Sequence, residues 1–490
     1  MRQGTITHLP AASAVPPKRF RPSRTLLGLL AVLSGCSTVD NVKKSLIGGG
    51  TQTGTPGFVQ GFLGGVAADE PRAALAGREV LSTGGTAADA AIAVALTLTV
   101  TLPSRAGLGG GGACIAYAAG ANSPNGGTPE AVLFAPLAPS HPGTNADRPA
   151  AVPMMARGLF LLHARYGTQP FETLLSSAEQ MARAGVPISR ALVKDLALVS
   201  GPLLADPGAR AIFSQNGVAL TEGQMLRQAD LASTLSQLRT AGVGDMYQGA
   251  LARRIAQVST DIGGPIQFAD LRDALPKMAP AIVRPFHDDK IALLPTDGGL
   301  AAAAGLDVLA ANPADTAGAT SRSLAVAARY RAGGITPVAV LAARDLPAVG
   351  IPATPASTSF VTMDRMGNAV ACDLTMDNLF GTGRIMPGLG ILAAASPSAV
   401  PPPLLSAGVV WNDKDKAFRA AAGGSGQAGA PVAVAAALLN ALTSKRPMSV
   451  PVPDPGRANV IACSGYLPGD SASCGWANDP RELGLAVGAN

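Results

Sequence analysis

Residues 355–383 read PASTSFVTMDRMGNAVACDLTMDNLFGTG, and this stretch decides how the rest of the chain is read. Ser357, Thr358 and Ser359 open a strand-like run, and a second run, NAVACDLT, ends at Thr375 before a Gly-rich turn. The segment from about Arg344 to Ala356 is rich in Pro, Thr and Ala and reads as flexible. A small hydroxyl residue that opens a strand after a flexible loop suits a nucleophile acting from its own N-terminus. A cut after Ala356 or after Ser357 would free an α-amine on Ser357 or Thr358. Such an amine has an unperturbed pKa of about 7.7–8.0 and can take the proton of its own side chain. A Ser-His-Asp triad is poorly served. The four histidines are His8, His141, His163 and His287, none is close to Ser357 in the chain, and no G-x-S-x-G elbow surrounds it.

Composition sets the scale. A chain of 490 residues suffices for two ordinary domains or one large layered one. With 47% hydrophobic and 14% charged residues it is far from a disordered composition. The formal charge of +6 is spread without a dense Lys/Arg stripe among aromatics, so a nucleic-acid partner is not indicated.

Near the N-terminus, Lys18, Arg19, Arg21 and Arg24 precede an apolar run from Leu26 to Leu33, then Leu-Ser-Gly-Cys ending at Cys36. The run is too short to span a bilayer and fits the core of a secretory signal. The Cys after Leu-Ser-Gly resembles a bacterial lipoprotein box. Residues 1–36 are therefore expected to be a signal with Cys36 lipidated, and residues 37–56 a tether. The folded body is then held at the membrane, facing the periplasm. An exported chain permits disulfides, and Cys463 and Cys474 are the candidate pair. Cys114 and Cys372 sit in apolar runs and are expected to be buried thiols. Cysteines without neighbouring histidines make no zinc pattern, and no cofactor is implied.

Along the body, Arg72–Leu81 reads as a helix. A second follows Thr86, which can cap it with Asp89 three residues on. The glycines from Gly107 to Gly112 lead into a strand and read as a site of close packing. They lack the Lys-Ser/Thr of a phosphate loop. A helical middle spans about 154–255, a strand lies at Ile291–Leu294, and an Ala-rich helix follows PTDGG. From Thr358 onward short strands alternate with turns until the helix APVAVAAALLNALTS, which suggests sheets covered by helices.

Together these segments resemble the gamma-glutamyltranspeptidase family of N-terminal-nucleophile hydrolases. The resemblance rests on AADEPRAALAGREVLSTGGTAADAAIAVALTLTV, LGGGG, VPMMARGLFLLHARYG, GGPIQFADL, GNAVACDLTMDNLFGTGRIMPGLGI and NDPRELGLAVG, in the family's order from about Phe58 to Gly488. It implies an α+β fold, a four-layer αββα sandwich. Residues 57–356 would be a large-subunit-like region and 357–490 a small-subunit-like region of one domain, separated by self-cleavage. The family nucleophile falls on Ser357, with Thr358 as second hydroxyl. The Thr that contacts it falls on Thr375, the donor-binding Asn on Asp377, and the carboxylate-binding Ser pair near Leu405 and Ser406. The oxyanion glycines correspond to Gly423 and Gly424. The donor-gripping arginine is replaced by Ala135, and the run that should carry an acid reads GILAAASPSA.

Two functions follow. One is an exported amidase or acyltransferase, gamma-glutamyltransferase-like with altered donor specificity, that passes an acyl group from a small amide to water or an amine. The family's substrates are gamma-glutamyl compounds such as glutathione. The other is an uncleaved, non-catalytic envelope protein that binds a ligand or protein partner on the same scaffold.

Overall fold

A computed structural model describes residues 61–121, 123–140, 146–347, 356–444, 446–481 and 483–489. Cys36 with its signal and tether, His141 and most of the flexible segment before Ala356 lie outside the described residues. Two antiparallel sheets stack face to face between helical layers. The strands, in chain order, are β1 (Gly64–Ala68), β2 (Gly111–Tyr117), β3 (Glu130–Phe134), β4 (Lys277–Pro280), β5 (Ile282–Phe286), β6 (Asp289–Leu293), β7 (Ser357–Asp364), β8 (Ala369–Thr375), β9 (Ser406–Asn412), β10 (Ala417–Ser425), β11 (Arg457–Leu467), β12 (Cys474–Ala477) and β13 (Leu485–Ala489). The first sheet has the order β13-β1-β7-β8-β2-β3-β4 and the second β12-β11-β10-β9-β6-β5.

The main covering helices are α1 (Pro71–Ser82), α2 (Ala87–Thr101) and α3 (Met155–Tyr166) on the first sheet. Over the second lie α4 (Asp297–Ala311), α5 (Thr316–Arg331) and α6 (Ala430–Thr443), with α5 resting on its two neighbours. The caps follow the sequence. Glu70 accepts from the Ala73 amide at 2.9 Å to start α1, and Thr86 and Asp89 form the expected capping box of α2. α2 is apolar on every side because it is buried on every side, between the first sheet and the helices outside it.

Strand alternation divides the core into three layers. Phe360, Cys372 and Leu374 turn toward the helices of the first sheet. Val361, Met363 and Ala371 turn toward Val409, Trp411 and Ala421 in the layer between the sheets. Val410, Ala422 and Val460 meet α6 through Val434 and Leu438. The turn joining β7 and β8 is closed by Asp364. One carboxylate oxygen accepts from the Met366 and Asn368 amides, and the other from the Ala87 amide at the start of α2.

The cysteines need one correction. Cys114 and Cys372 are joined as a disulfide and are not free thiols. β2 and β8 are adjacent and antiparallel, and their register sets these two residues directly opposite. Their separation of 258 residues hid the pairing, which depends on which strands become neighbours. Cys463 and Cys474 are bonded as expected, across the β11–β12 ladder.

Candidate active site

The first residue of β7 is Ser357, and the last residue of its neighbour β8 is Thr375; the two are paired in register. Alternation sends Ser357, Ser359, Asp373 and Thr375 into the space between the sheets, while Thr358 points the other way. Ser357, Thr358, Asp373 and Thr375 are all 0% exposed. The Thr375 hydroxyl donates to the carbonyl oxygen of Ala356 at 2.8 Å and accepts from the Asp377 amide at 2.7 Å. It thus holds the residue immediately before Ser357. The Ser357 hydroxyl has no hydrogen-bond partner.

Close packing makes this possible. A side chain at Gly110 or Gly112 would strike the carbonyl oxygens of Thr375 and Asp373, so these glycines let β2 and its entry lie flat against the end of β8. A Cβ on Gly423 would stand 3.0 Å from the carbonyl oxygens of Phe360 and Cys372, so that glycine lets β10 approach the nucleophile strands.

Gly423 and Gly424 sit late in the strand that passes the nucleophile strands. They are interior to β10, opposite Ala407 and Ser406 on one side and Asn459 and Ala458 on the other. Both are buried, and Gly423 is the one set against Phe360, Cys372 and Ser359. Ser406 is engaged through its own atoms. Its hydroxyl donates to the Leu404 carbonyl and its amide to Asp373 Oδ2, both at 3.0 Å.

Sequence reading missed three residues. Asp69, just beyond β1, accepts from the Thr358 hydroxyl at 2.9 Å, from the Ser359 amide at 2.9 Å and from Asn459 Nδ2 at 2.7 Å. Asn459 on β11 also donates to the Ser359 carbonyl and hydroxyl, which ties the two sheets together. Asp373 is the third. Burial raises its carboxyl well above the usual carboxylate range. The Ser406 amide and the Ser357 hydroxyl pull it back in part, and the charge of Asp69 adds to the rise. The available signal was a charged residue in the middle of an apolar strand, AVACDLT, which needs a polar reason to be there.

Asp377 lies beyond Thr375 with a left-handed backbone, φ 60°, and neither carboxylate oxygen has a partner. Burial pushes its carboxyl up to about 7, and Arg331 offsets part of that rise. A cavity of about 330 Å³ begins at the next residue, lined by Arg148, Leu203, Asn378, Phe380, Ala395 and Val400. Ala395 is held to this turn by its amide, which donates to the Met376 carbonyl at 3.1 Å. Ala393–Ala395, Leu404 and Leu405 are buried and aliphatic, and Ala135 packs at the edge of the layer between the sheets. His163 bonds the Gln169 carbonyl at 2.6 Å and is structural. Among the described residues no cluster of three or more His, Cys, Asp or Glu could hold a metal ion.

Comparison with known proteins agrees with this architecture. A glutathione hydrolase of Arabidopsis thaliana, number 3, is 30% identical over 225 residues, covering 44% of this chain and 34% of the relative. The glutathione hydrolase proenzyme of Escherichia coli (strain K12) is 28% identical over 230 residues, covering 44% and 39%. The alignments thus take in between about a third and two fifths of those relatives. Among solved structures, the cephalosporin acylase from Bacillus halodurans superposes with a TM-score of 0.69 at 18% identity, over 89% of this chain and 98% of that one. That likeness is one of fold, the sandwich of the N-terminal-nucleophile hydrolases. The family model described as gamma-glutamyltranspeptidase matches residues 73–330, more than half of the chain, and the protein belongs to that family as a diverged member.

Proposed function

We propose that this chain is the precursor of an exported amidase or acyltransferase whose nucleophile is Ser357, freed by cleavage of the Ala356–Ser357 bond. The observation that carries this reading is the 2.8 Å hydrogen bond from Thr375 Oγ1 to the Ala356 carbonyl. A donor on that oxygen polarises the carbon that the Ser357 hydroxyl would attack. Thr358 is the weaker candidate, because its hydroxyl is spent on Asp69 on the other side of the strand. After cleavage, the Ser357 α-amine would deprotonate its own hydroxyl. The alkoxide would attack a substrate amide to form an acyl-enzyme, which water or an amine then resolves. The proenzyme relative in Escherichia coli supports a precursor form.

The donor differs from a gamma-glutamyl compound such as glutathione. With Ala135 in place of an arginine, no bidentate partner awaits an α-carboxylate there. Asp377, unpartnered, instead suits an ammonium or amide group on the acyl chain. Ser406 would contribute shape and not a hydroxyl. Export and anchoring through Cys36 rest on the N-terminal sequence. They suit a fold with two disulfides.

The test is intact mass with N-terminal sequencing, run with and without reductant. Cys114 precedes the cut and Cys372 follows it, so the fragments would stay linked until reduced. Two fragments on reduction, the smaller beginning at Ser357, support the reading. A start at Thr358 moves the nucleophile by one residue. A single uncut chain refutes self-processing and leaves the non-catalytic binding protein, which the loss of the arginine at Ala135 also favours.

A further inference from the structure

Two buried oxygens beside the bond to be cut lack partners: Ser357 Oγ and Asp373 Oδ1. They belong to adjacent strands and share one face, with Asp373 opposite Ser359 and Ser357 opposite Thr375. Ser357 and Asp373 are thus diagonal neighbours across the β7–β8 ladder. The other carboxylate oxygen is held by the Ser406 amide at 3.0 Å, which fixes the plane of the group. A buried carboxylate oxygen left bare is costly, so its persistence beside a bare hydroxyl calls for a use.

We propose that Asp373 is the proton acceptor for the Ser357 hydroxyl during self-cleavage. This rests on the reading of Ala356–Ser357 as the scissile bond. The mature enzyme's base, the α-amine, does not exist while that nitrogen is still an amide, so cleavage needs a different base. Ionised Asp373 takes the hydroxyl proton as Ser357 Oγ bonds to the Ala356 carbonyl carbon, and the oxyanion is met by the Thr375 hydroxyl. The C–N bond then breaks, and the proton passes from Asp373 to the departing nitrogen, which becomes the free amine. An ester between Ala356 and Ser357 remains. Water adds to it, the C–O bond breaks, and the products are the Ala356 carboxylate and the regenerated hydroxyl.

The charged group facing Asp373 is Asp69. The packed strands otherwise bring Ser357 and Ser359 from β7, Ala113 from β2, Ser406 from β9 and Gly423 from β10. Without a cation among them, Asp373 ionises only above the usual carboxylate range, and cleavage accelerates as pH rises through that higher range.

The full chain, purified at low pH and shifted to buffers from about pH 5 to 9, is followed by reduced intact mass; general-base removal is expected to slow fragment formation by about 100-fold or more in D373N. D373N should also lose the rise with pH. S357C placed in the D373N background should recover cleavage, because a thiol ionises without help from a carboxylate. A misfolded D373N chain would not be rescued this way. Wild type that cuts at the same rate across the whole pH range overturns the proposal, as does D373N cutting like wild type. Wild type that never cuts removes the underlying reading as well, so the two failures are distinguishable.

Discussion

The end of the β7–β8 pair and the stretches expected to grip a donor differ in kind. At the strand ends, hydroxyls, carboxylates and amides occupy buried positions, and most of their atoms are paired: Thr375 with Ala356, Thr358 with Asp69, Asp69 with Asn459. By the family resemblance, the stretches expected to grip a donor are Ala135, Ala393–Ala395, Leu405 and Ser406, aliphatic but for Ser406, whose hydroxyl donates to the Leu404 carbonyl. Apolar replacements in a wall lose a ligand's handle and leave the core packed. Replacement of a paired polar group at the strand ends would strand its partner without water. The machinery that would break a bond and the surface that would choose a substrate are thus separable, and each can be broken alone.

The largest effect should come from the strand end. S357A is expected to abolish cleavage outright, whereas T358A, which removes a hydroxyl pointing away from the scissile carbonyl, should leave fragments forming. Reduced mass spectra of the two variants distinguish the two hydroxyls directly. T375V keeps the strand shape and removes the donor to Ala356. Loss of one oxyanion donor costs about 10²–10³ in rate, so cleavage should slow by that factor while the thermal midpoint moves little. Equal effects of T358A and S357A would show that both faces of β7 serve the chemistry.

The donor-side stretches should show themselves in substrate choice. If Ala135 leaves a carboxylate without its partner, a gamma-glutamyl anilide should be turned over less well than the matching amide that carries the amine but lacks the α-carboxylate. An uncompensated carboxylate costs roughly 1–3 kcal/mol, so the ratio of kcat/KM should be about 5–150. A preference for the carboxylate-bearing donor would mean that another cation has taken the arginine's place.

The sequence carried the fold further than the site. Thr86 with Asp89, the helix after PTDGG and the strands from Ser357 to Ser425 are local patterns, and all took the expected form. What stayed hidden is what depends on strands distant in sequence becoming neighbours. Cys114 meets Cys372 only because β2 pairs with β8, and Asp69 meets Asn459 only because the two sheets stack at that end. Gly423 meets Ser359 for the same reason, because β10 stacks against β7. Asp373 was legible as a misfit in an apolar strand, although its neighbour was not.

The smallest of these effects, and the one that separates the two regions most cleanly, concerns Asp377 and the stability of the uncut fold. Burial raises its carboxyl to about 7, well above its value of 3.8 when unfolded. The folded state therefore holds a proton that the unfolded chain releases, and stability falls as pH climbs from about 4 through about 7 before levelling off. D377N carries no charge to bury, so it should match wild type below about pH 4 and exceed it above pH 7. A shift of this size sets a ceiling of about 4 kcal/mol at roughly 1.4 kcal/mol per pKa unit, and relaxation of the turn should bring the gain to about 2 kcal/mol. Denaturant titrations of both proteins in the S357A background, at pH 4 and pH 8, would read the difference without interference from cleavage. A gain at pH 8 alone would identify Asp377 as a carboxylate kept at a cost to stability, as a group reserved for a cationic ligand should be. No gain at either pH would mean that the carboxylate is already neutralised in the free protein, with the charge of Arg331, itself paired with Asp297, as the cause, and the pocket would then have to recognise something other than an ammonium.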